Sequence, residues 1–166
     1  MPITNVEVMS KLLRIDKNLL DDLSAQAKTV QRLRKNYNIH VSETEPCNRL
    51  LNGLEPGTYV KPHRHDDPMK DEAMVMVRGK MGLVTFDNNG NILEAVLMEA
   101  GGDVVAISIP HGVFHTLVSL EPGTIFFEAK AGPYRPLQSE EKASWAPAEG
   151  APEVLSYLAV LTELFK

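Results

Sequence analysis

Four of the five histidines in this chain fall in two short stretches. The first, Gly57 to Gly79 (GTYVKPHRHDDPMKDEAMVMVRG), sets His63 and His65 two residues apart and Glu72 seven residues further on. The second is Pro110-His111-Gly112-Val113-Phe114-His115. Residues two apart on a β-strand point the same way, so His-x-His on a strand offers two imidazole nitrogens to one point. Neutral imidazole suits Zn, Cu, Fe and Ni, and a carboxylate beside it extends the range towards Mn. A third histidine from a neighbouring strand completes a three-His, one-carboxylate set with coordination positions left open, as a catalytic metal requires. Packing is a poor alternative account, because the histidines cluster at two turn-to-strand junctions punctuated by Gly57, Gly79 and Pro110-x-Gly112.

The two stretches resemble the two motifs of the cupin superfamily, G-x5-H-x-H-x3,4-E-x6-G and G-x5-P-x-G-x2-H-x3-N. Gly57, His63, His65, Glu72 and Gly79 match the first, with six residues between His65 and Glu72 in place of three or four. Pro110, Gly112 and His115 match the core of the second; Gly102 stands eight before Pro110, and Ser119 replaces the closing asparagine. The resemblance implies His63, His65, Glu72 and His115 as metal ligands, with Asp66 and Asp67 as rivals to Glu72 by charge. The chain as a whole is similar to the WbuC-type cupin-fold metalloproteins, small bacterial proteins encoded among O-antigen and lipopolysaccharide biosynthesis genes. The matching features are the basic run Arg32-Leu33-Arg34-Lys35-Asn36-Tyr37-Asn38, the Pro-His-Arg-His segment, and Phe-His followed by Thr-Leu-Val. That resemblance implies a mainly β, single-domain cupin (a double-stranded β-helix or jelly-roll barrel) with a helix at each end. It also implies one divalent transition metal per chain (Zn, Fe, Ni or Mn) and a homodimer.

Composition bounds the rest. A chain of 166 residues is expected to form one domain with a substantial core. The net charge of −5 argues against nucleic acid as a general partner. A single cysteine, Cys47, excludes an intrachain disulfide and a zinc ribbon, and reads as a small buried or half-buried side chain. The segment MPITNVEVMSKLLRI lacks the apolar core of a signal peptide, and no apolar run is long enough for a membrane span, so a cytoplasmic protein is expected.

Along the chain, Asp16 reads as an N-cap for a helix over roughly 17–30, followed by Arg32, Arg34 and Lys35 as a solvated helix end or a clamp for an anionic group. A helical extension over 1–46 thus precedes a barrel over 47–132. Its strands are expected at 48–53, 58–63, 72–78, 81–87, 92–98, 103–108, 115–120 and 124–130, with a hairpin turn at Asp87–Gly90. Residues 133–166 follow as a loop and a helix opened by Pro152, with Val154, Leu155, Leu158, Leu161 and Phe165 on one stripe.

Strand parity places Tyr59 and Lys61 beside the His-x-His pair, Met74 and Met76 beside Glu72, and Leu117 and Ser119 beside His115. The pocket so formed is apolar, with few polar groups to fix a ligand. Tyr59, Lys61 and the turn residue His111 are the candidate catalytic side chains. Glu128 with Lys130, on one face of the last strand, read either as a pair buttressing the metal or as solvated charges. The expected function is a metal-dependent enzyme acting on a sugar, sugar nucleotide or other small polar substrate by isomerisation, epimerisation or hydrolysis, in the cell-surface polysaccharide synthesis that the resemblance implies. The alternatives are an iron-dependent dioxygenase and a non-catalytic carbohydrate-binding cupin. His40 is assigned no role.

Overall fold

The computed structural model describes residues 12–166; most of the segment that lacks a signal-peptide core lies outside them. Helix α1 (Lys17–Thr29) opens where expected, with the Asp16 carboxylate accepting the Leu19 N–H at 3.0 Å. Eight strands follow: β1 (Arg34–Asn38), β2 (Cys47–Leu54), β3 (Glu72–Arg78), β4 (Lys80–Phe86), β5 (Ile92–Glu99), β6 (Ala106–Ile109), β7 (Phe114–Ser119) and β8 (Thr124–Ala131). They build two antiparallel sheets, one in the order β1-β2-β8-β3-β6 and the other β5-β4-β7. The chain ends in helix α2 (Val154–Glu163).

Alternation along the strands sorts side chains into an inner and an outer layer. Leu54, Met74, Met76, Ile109 and Phe126 of the larger sheet meet Met81, Leu83, Met98 and Leu117 of the smaller one, forming the core between the sheets. On the outside of the larger sheet, Leu51 and Ile125 pack under Leu23 of α1. On the outside of the smaller sheet, Val84, Phe86 and Val118 pack under Leu158 and Leu161 of α2. Both terminal helices therefore cap the sheets from outside. Leu155, assigned by its spacing to the buried stripe of α2, is instead 78% exposed.

Four further expectations need correction. Residues 58–63 do not form a strand: only His63 pairs, through isolated bridges to Lys142 and to His115, with which it exchanges N–H···O bonds of 3.0 and 2.9 Å. Pro62 carries no N–H for a continuous ladder, which explains the break. The basic run Arg32–Lys35 is not a helix end, because α1 stops at Thr29 and Arg34 opens β1. Since β1 pairs along β2, the sheet begins before residue 47, inside the segment expected to be a helical extension. Cys47 is exposed. The hairpin at Asp87–Gly90 forms as expected, with Gly90 N–H donating to Asp87 O at 3.2 Å. No helix of the described residues is long and apolar enough to cross a membrane.

Candidate metal centre

Glu72 and His115 reach the same point from opposite sheets, Glu72 opening β3 and His115 sitting second in β7. His63 is fixed by its backbone bridge to His115, and His65 by its carbonyl accepting the Gly112 N–H at 2.7 Å. Gly112 adopts φ +78°, a left-handed conformation that glycine takes without steric cost, and so carries the turn that delivers His115. Gly79 does the same for the turn from β3 to β4 at φ +75°, where an added Cβ would stand 2.9 Å from the backbone of Thr124. His63 and His65 thus converge without the regular strand that their spacing suggests.

Ligand atoms of His63, His65 and Glu72 all lie within 4.8 Å of one another. His115 Nε2 stands 3.2 Å from Glu72 Oε2, and His65 Nε2 stands 3.4 Å from the same oxygen. The ring centroids are 4.6 Å (His63–His115), 5.6 Å (His63–His65) and 6.3 Å (His65–His115) apart. Metal–nitrogen bonds of about 2.0–2.1 Å set the centroids of adjacent rings on one cation roughly 4.5–5.5 Å apart. His63–His115 and His63–His65 are close to that, whereas His65–His115 is wider, and His115 is not among the ligand atoms that all lie within 4.8 Å of one another.

The protonation pattern suits a cation. Nδ1 of His63 donates to the Lys61 carbonyl at 3.0 Å, and Nδ1 of His115 to the Val113 carbonyl at 3.0 Å. A carbonyl only accepts, so in the neutral rings the proton is on Nδ1 and the Nε2 lone pair is free. Nε2 of His65, Nε2 of His115 and Oε2 of Glu72 are buried and have no hydrogen-bond partner among the described residues. Orphaned buried acceptors facing one another, here His115 Nε2 and Glu72 Oε2, are costly unless positive charge lies between them. The residues present fit a divalent cation.

The electrostatics agree. Burial alone would raise the Glu72 carboxyl, but positive hydrogen-bonding partners at Nε2 of His115 and His65 (a proton, or a cation in its place) and the Lys130 ammonium hold it well below the usual carboxylate range. Burial, then His115, pushes His63 down to about 3, which keeps it neutral and available as a ligand. On the far side of Glu72, Lys130 Nζ lies 3.5 Å from Oε1 and bonds Glu128, while Asn52 Nδ2 donates to Glu128 Oε2 at 2.7 Å. Burial and the charge of Glu72 raise Glu128 to about 7. The expected buttress of Glu128 and Lys130 is present, and Asn52 extends it. No sequence pattern singled out Asn52.

The other candidates sit elsewhere. Tyr59 is buried, but its hydroxyl donates to Pro147 O at 2.9 Å and its ring meets Tyr157 edge-on, so it faces the C-terminal segment. Lys61 meets the site through its backbone carbonyl. His111 is exposed, with Nδ1 2.9 Å from Asp71 Oδ1. Tyr59 and Lys61 were placed by strand parity, and without the strand that argument lapses. Asp66 pairs with Arg64, and the Asp67 carboxylate accepts the Met69 N–H. Met74, Met76 and Leu117 are core, as parity indicates, and Ser119 bonds the Leu54 and Glu121 carbonyls. His40, without an assigned role, bonds the Arg49 backbone through Nδ1.

No curated protein matches the sequence. Among solved structures, a conserved protein of unknown function from Streptococcus pyogenes, SPY1581, aligns with a TM-score of 0.50 at 13% identity, over 76% of this chain and 90% of that one. At that identity the likeness is one of fold. KdgF from Halomonas sp. aligns at 20% identity and a TM-score of 0.48, over 61% of this chain and 82% of that one. Oxalate decarboxylase from Bacillus subtilis, a protein with Mn(II) centres, aligns at 18% identity and a TM-score of 0.47, over 62% of this chain and 26% of that one. The mainly β, two-sheet architecture with a helix at each end is the one the cupin motifs imply. Residues 15–98, half of the chain, match the family model described as a domain of unknown function, DUF6016, and the chain belongs to that family.

Proposed function

We propose that this protein is a metal-dependent enzyme in which His63, His65, Glu72 and His115 hold one divalent transition metal, Zn, Fe, Ni or Mn. The observation that carries this reading is the convergence of buried, unpartnered Nε2 and carboxylate atoms on one point. A bound cation supplies Lewis-acid polarisation of a substrate oxygen or lowers the pKa of a water. The chain's own part is to keep the His63 imidazole neutral, to keep Glu72 ionised, and to hold Glu72 in place through Lys130.

The substrate we infer is a sugar, sugar nucleotide or other small polar molecule. The setting is cell-surface polysaccharide synthesis, supported by the resemblance to WbuC-type proteins. A homodimer is part of the same proposal. A second reading, a non-catalytic carbohydrate-binding cupin, is favoured by one observation: Tyr59 and His111 both point away from the centre.

Incubating the metal-loaded and metal-stripped protein with a panel of aldoses and sugar nucleotides, followed by NMR, tests the enzyme reading. Turnover that is lost on stripping and restored on reloading is expected. Metal uptake with no turnover of any member would leave the binding reading, and no metal uptake would remove both.

A further inference from the structure

The inner face of the larger sheet changes character across its width. Over β3 and β6 it is Met74, Met76 and Ile109, whereas over β1 and β2 it carries Asn36, Asn38, Asn48 and Asn52. Cross-strand register places Asn36 opposite Asn52, and Asn48 opposite Lys130, which in turn stands opposite Glu72. A cleft of about 490 Å³ lies over these asparagines, with the half-exposed ring of Tyr134 on its wall. That volume is within the range of small-molecule sites, roughly 300–1,000 Å³.

The hydrogen-bonding inventory of the cleft is incomplete. Asn48 is 2% exposed, yet its Oδ1 has no partner among the described residues. An unsatisfied buried amide is destabilising. Asn36 Nδ2 donates to Asn38 Oδ1 at 2.7 Å, which leaves Asn36 Oδ1 and Asn38 Nδ2 without a side-chain partner among the described residues. Asn52 spends its amide N–H on Glu128 and keeps its carbonyl oxygen. The floor therefore keeps free acceptors, Oδ1 of Asn36, Asn48 and Asn52, beside a free donor, Asn38 Nδ2, a mixture that hydroxyls satisfy, because each hydroxyl both donates and accepts. The deeper cations are already matched, Lys130 by Glu128 and Glu72, Arg34 by Glu149.

We propose that this cleft is the subsite for a neutral, hydroxyl-rich ring, a glycosyl unit, bound through the asparagine amides with its C–H face against Tyr134. The proposal deepens the function proposed above and rests on its small polar substrate, but not on the metal. It corrects the expectation of a pocket with few polar groups. The groups were in the sequence, in segments read as a helix end and as an ordinary strand.

The test follows the asparagine side-chain amide signals of the 15N-labelled protein while methyl glucoside, maltose, glucuronate or inorganic phosphate is added at millimolar concentration. A neutral sugar is expected to shift the Asn36, Asn48 and Asn52 signals. Asn52→Ala and Tyr134→Ala should each weaken the shift several-fold, and phosphate should not compete. Asn48→Leu should abolish sugar binding while raising Tm, since it removes an unsatisfied buried amide; a purely structural Asn48 would give a lower Tm. No shift with either neutral sugar, unchanged affinity in both alanine variants, or displacement by phosphate would overturn the proposal. Running the titration on metal-stripped protein separates the two readings. Sugar binding by a chain that never takes up metal keeps the cleft and sinks the centre, and metal uptake without sugar binding does the reverse.

Discussion

Glu72 Oε2 lies 3.2 Å from His115 Nε2, and neither atom has a hydrogen-bond partner among the described residues. The two residues come from β3 and β7, strands of different sheets. With the His115 proton on Nδ1, two lone pairs face each other in a buried space. In the ligand set proposed above, a cation between them would turn repulsion into coordination.

His63→Ala and His115→Ala are expected to lose the metal, and His111→Ala to retain it. His111 is exposed and engaged with Asp71, on the other side of the turn. Elemental analysis of the purified variants decides this. Equal loss in all three would mean that the ligand set is misassigned.

Lys130→Met should weaken metal affinity by about 10–100-fold, the usual effect of removing a group that holds a ligand in place. Lys130 Nζ touches Glu72 Oε1 and never approaches the centre except through that carboxylate. A competition titration with a chelating dye reads the affinity, with circular dichroism to verify folding. A folded variant with unchanged affinity would show that Glu72 needs no such support.

Sequence and structure diverge at identifiable residues. Alternating inward residues such as Glu72, Met74 and Met76, and glycine turns such as Gly79, made most of the barrel legible before any coordinates. The two metal stretches were legible because histidine is rare in the chain and clusters. Pro62 hid the true path of residues 58–63, since local spacing does not reveal where a missing N–H will break a ladder. Strand β1 was hidden for another reason. Its inward side is Arg34, Asn36 and Asn38, so no apolar alternation marks it, and its place is fixed only by pairing with β2.

Glu149 joins Arg32 and Arg34 to the loop before α2, with contacts of 2.6 and 2.9 Å. Burial raises its carboxyl, but hydrogen bonds and charge from Arg32 and Arg34 bring it below the ordinary value of 4.5. A lowered folded-state pKa gives stability that is present above the unfolded value and lost as pH falls through the folded one. Glu149 is 42% exposed, so solvent screening holds the cost of Glu149→Gln at neutral pH to about 1 kcal/mol or less. Urea melts should show that difference at pH 7 and its disappearance once the pH is below the lowered pKa. A difference that grows on acidification would contradict the pairing.

Gly82 on β4 lies directly under the end of the C-terminal segment, where an added Cβ would stand 2.1 Å from the Phe165 ring. Gly82→Ala should destabilise the fold by about 1–3 kcal/mol through overpacking. In a Phe165→Ala background the same change should cost little. A double-mutant cycle by thermal melts measures the coupling, and additive effects would place Phe165 away from Gly82.

The most direct test is anomalous diffraction from crystals of the metal-loaded protein, recorded at the absorption edge of the bound element. A single peak within about 2.0–2.3 Å of Nε2 of His63, His65 and His115 and of a Glu72 oxygen is the expected result. A peak placed elsewhere, at His111 and Asp71 for example, or no peak after full metal loading, would contradict the account.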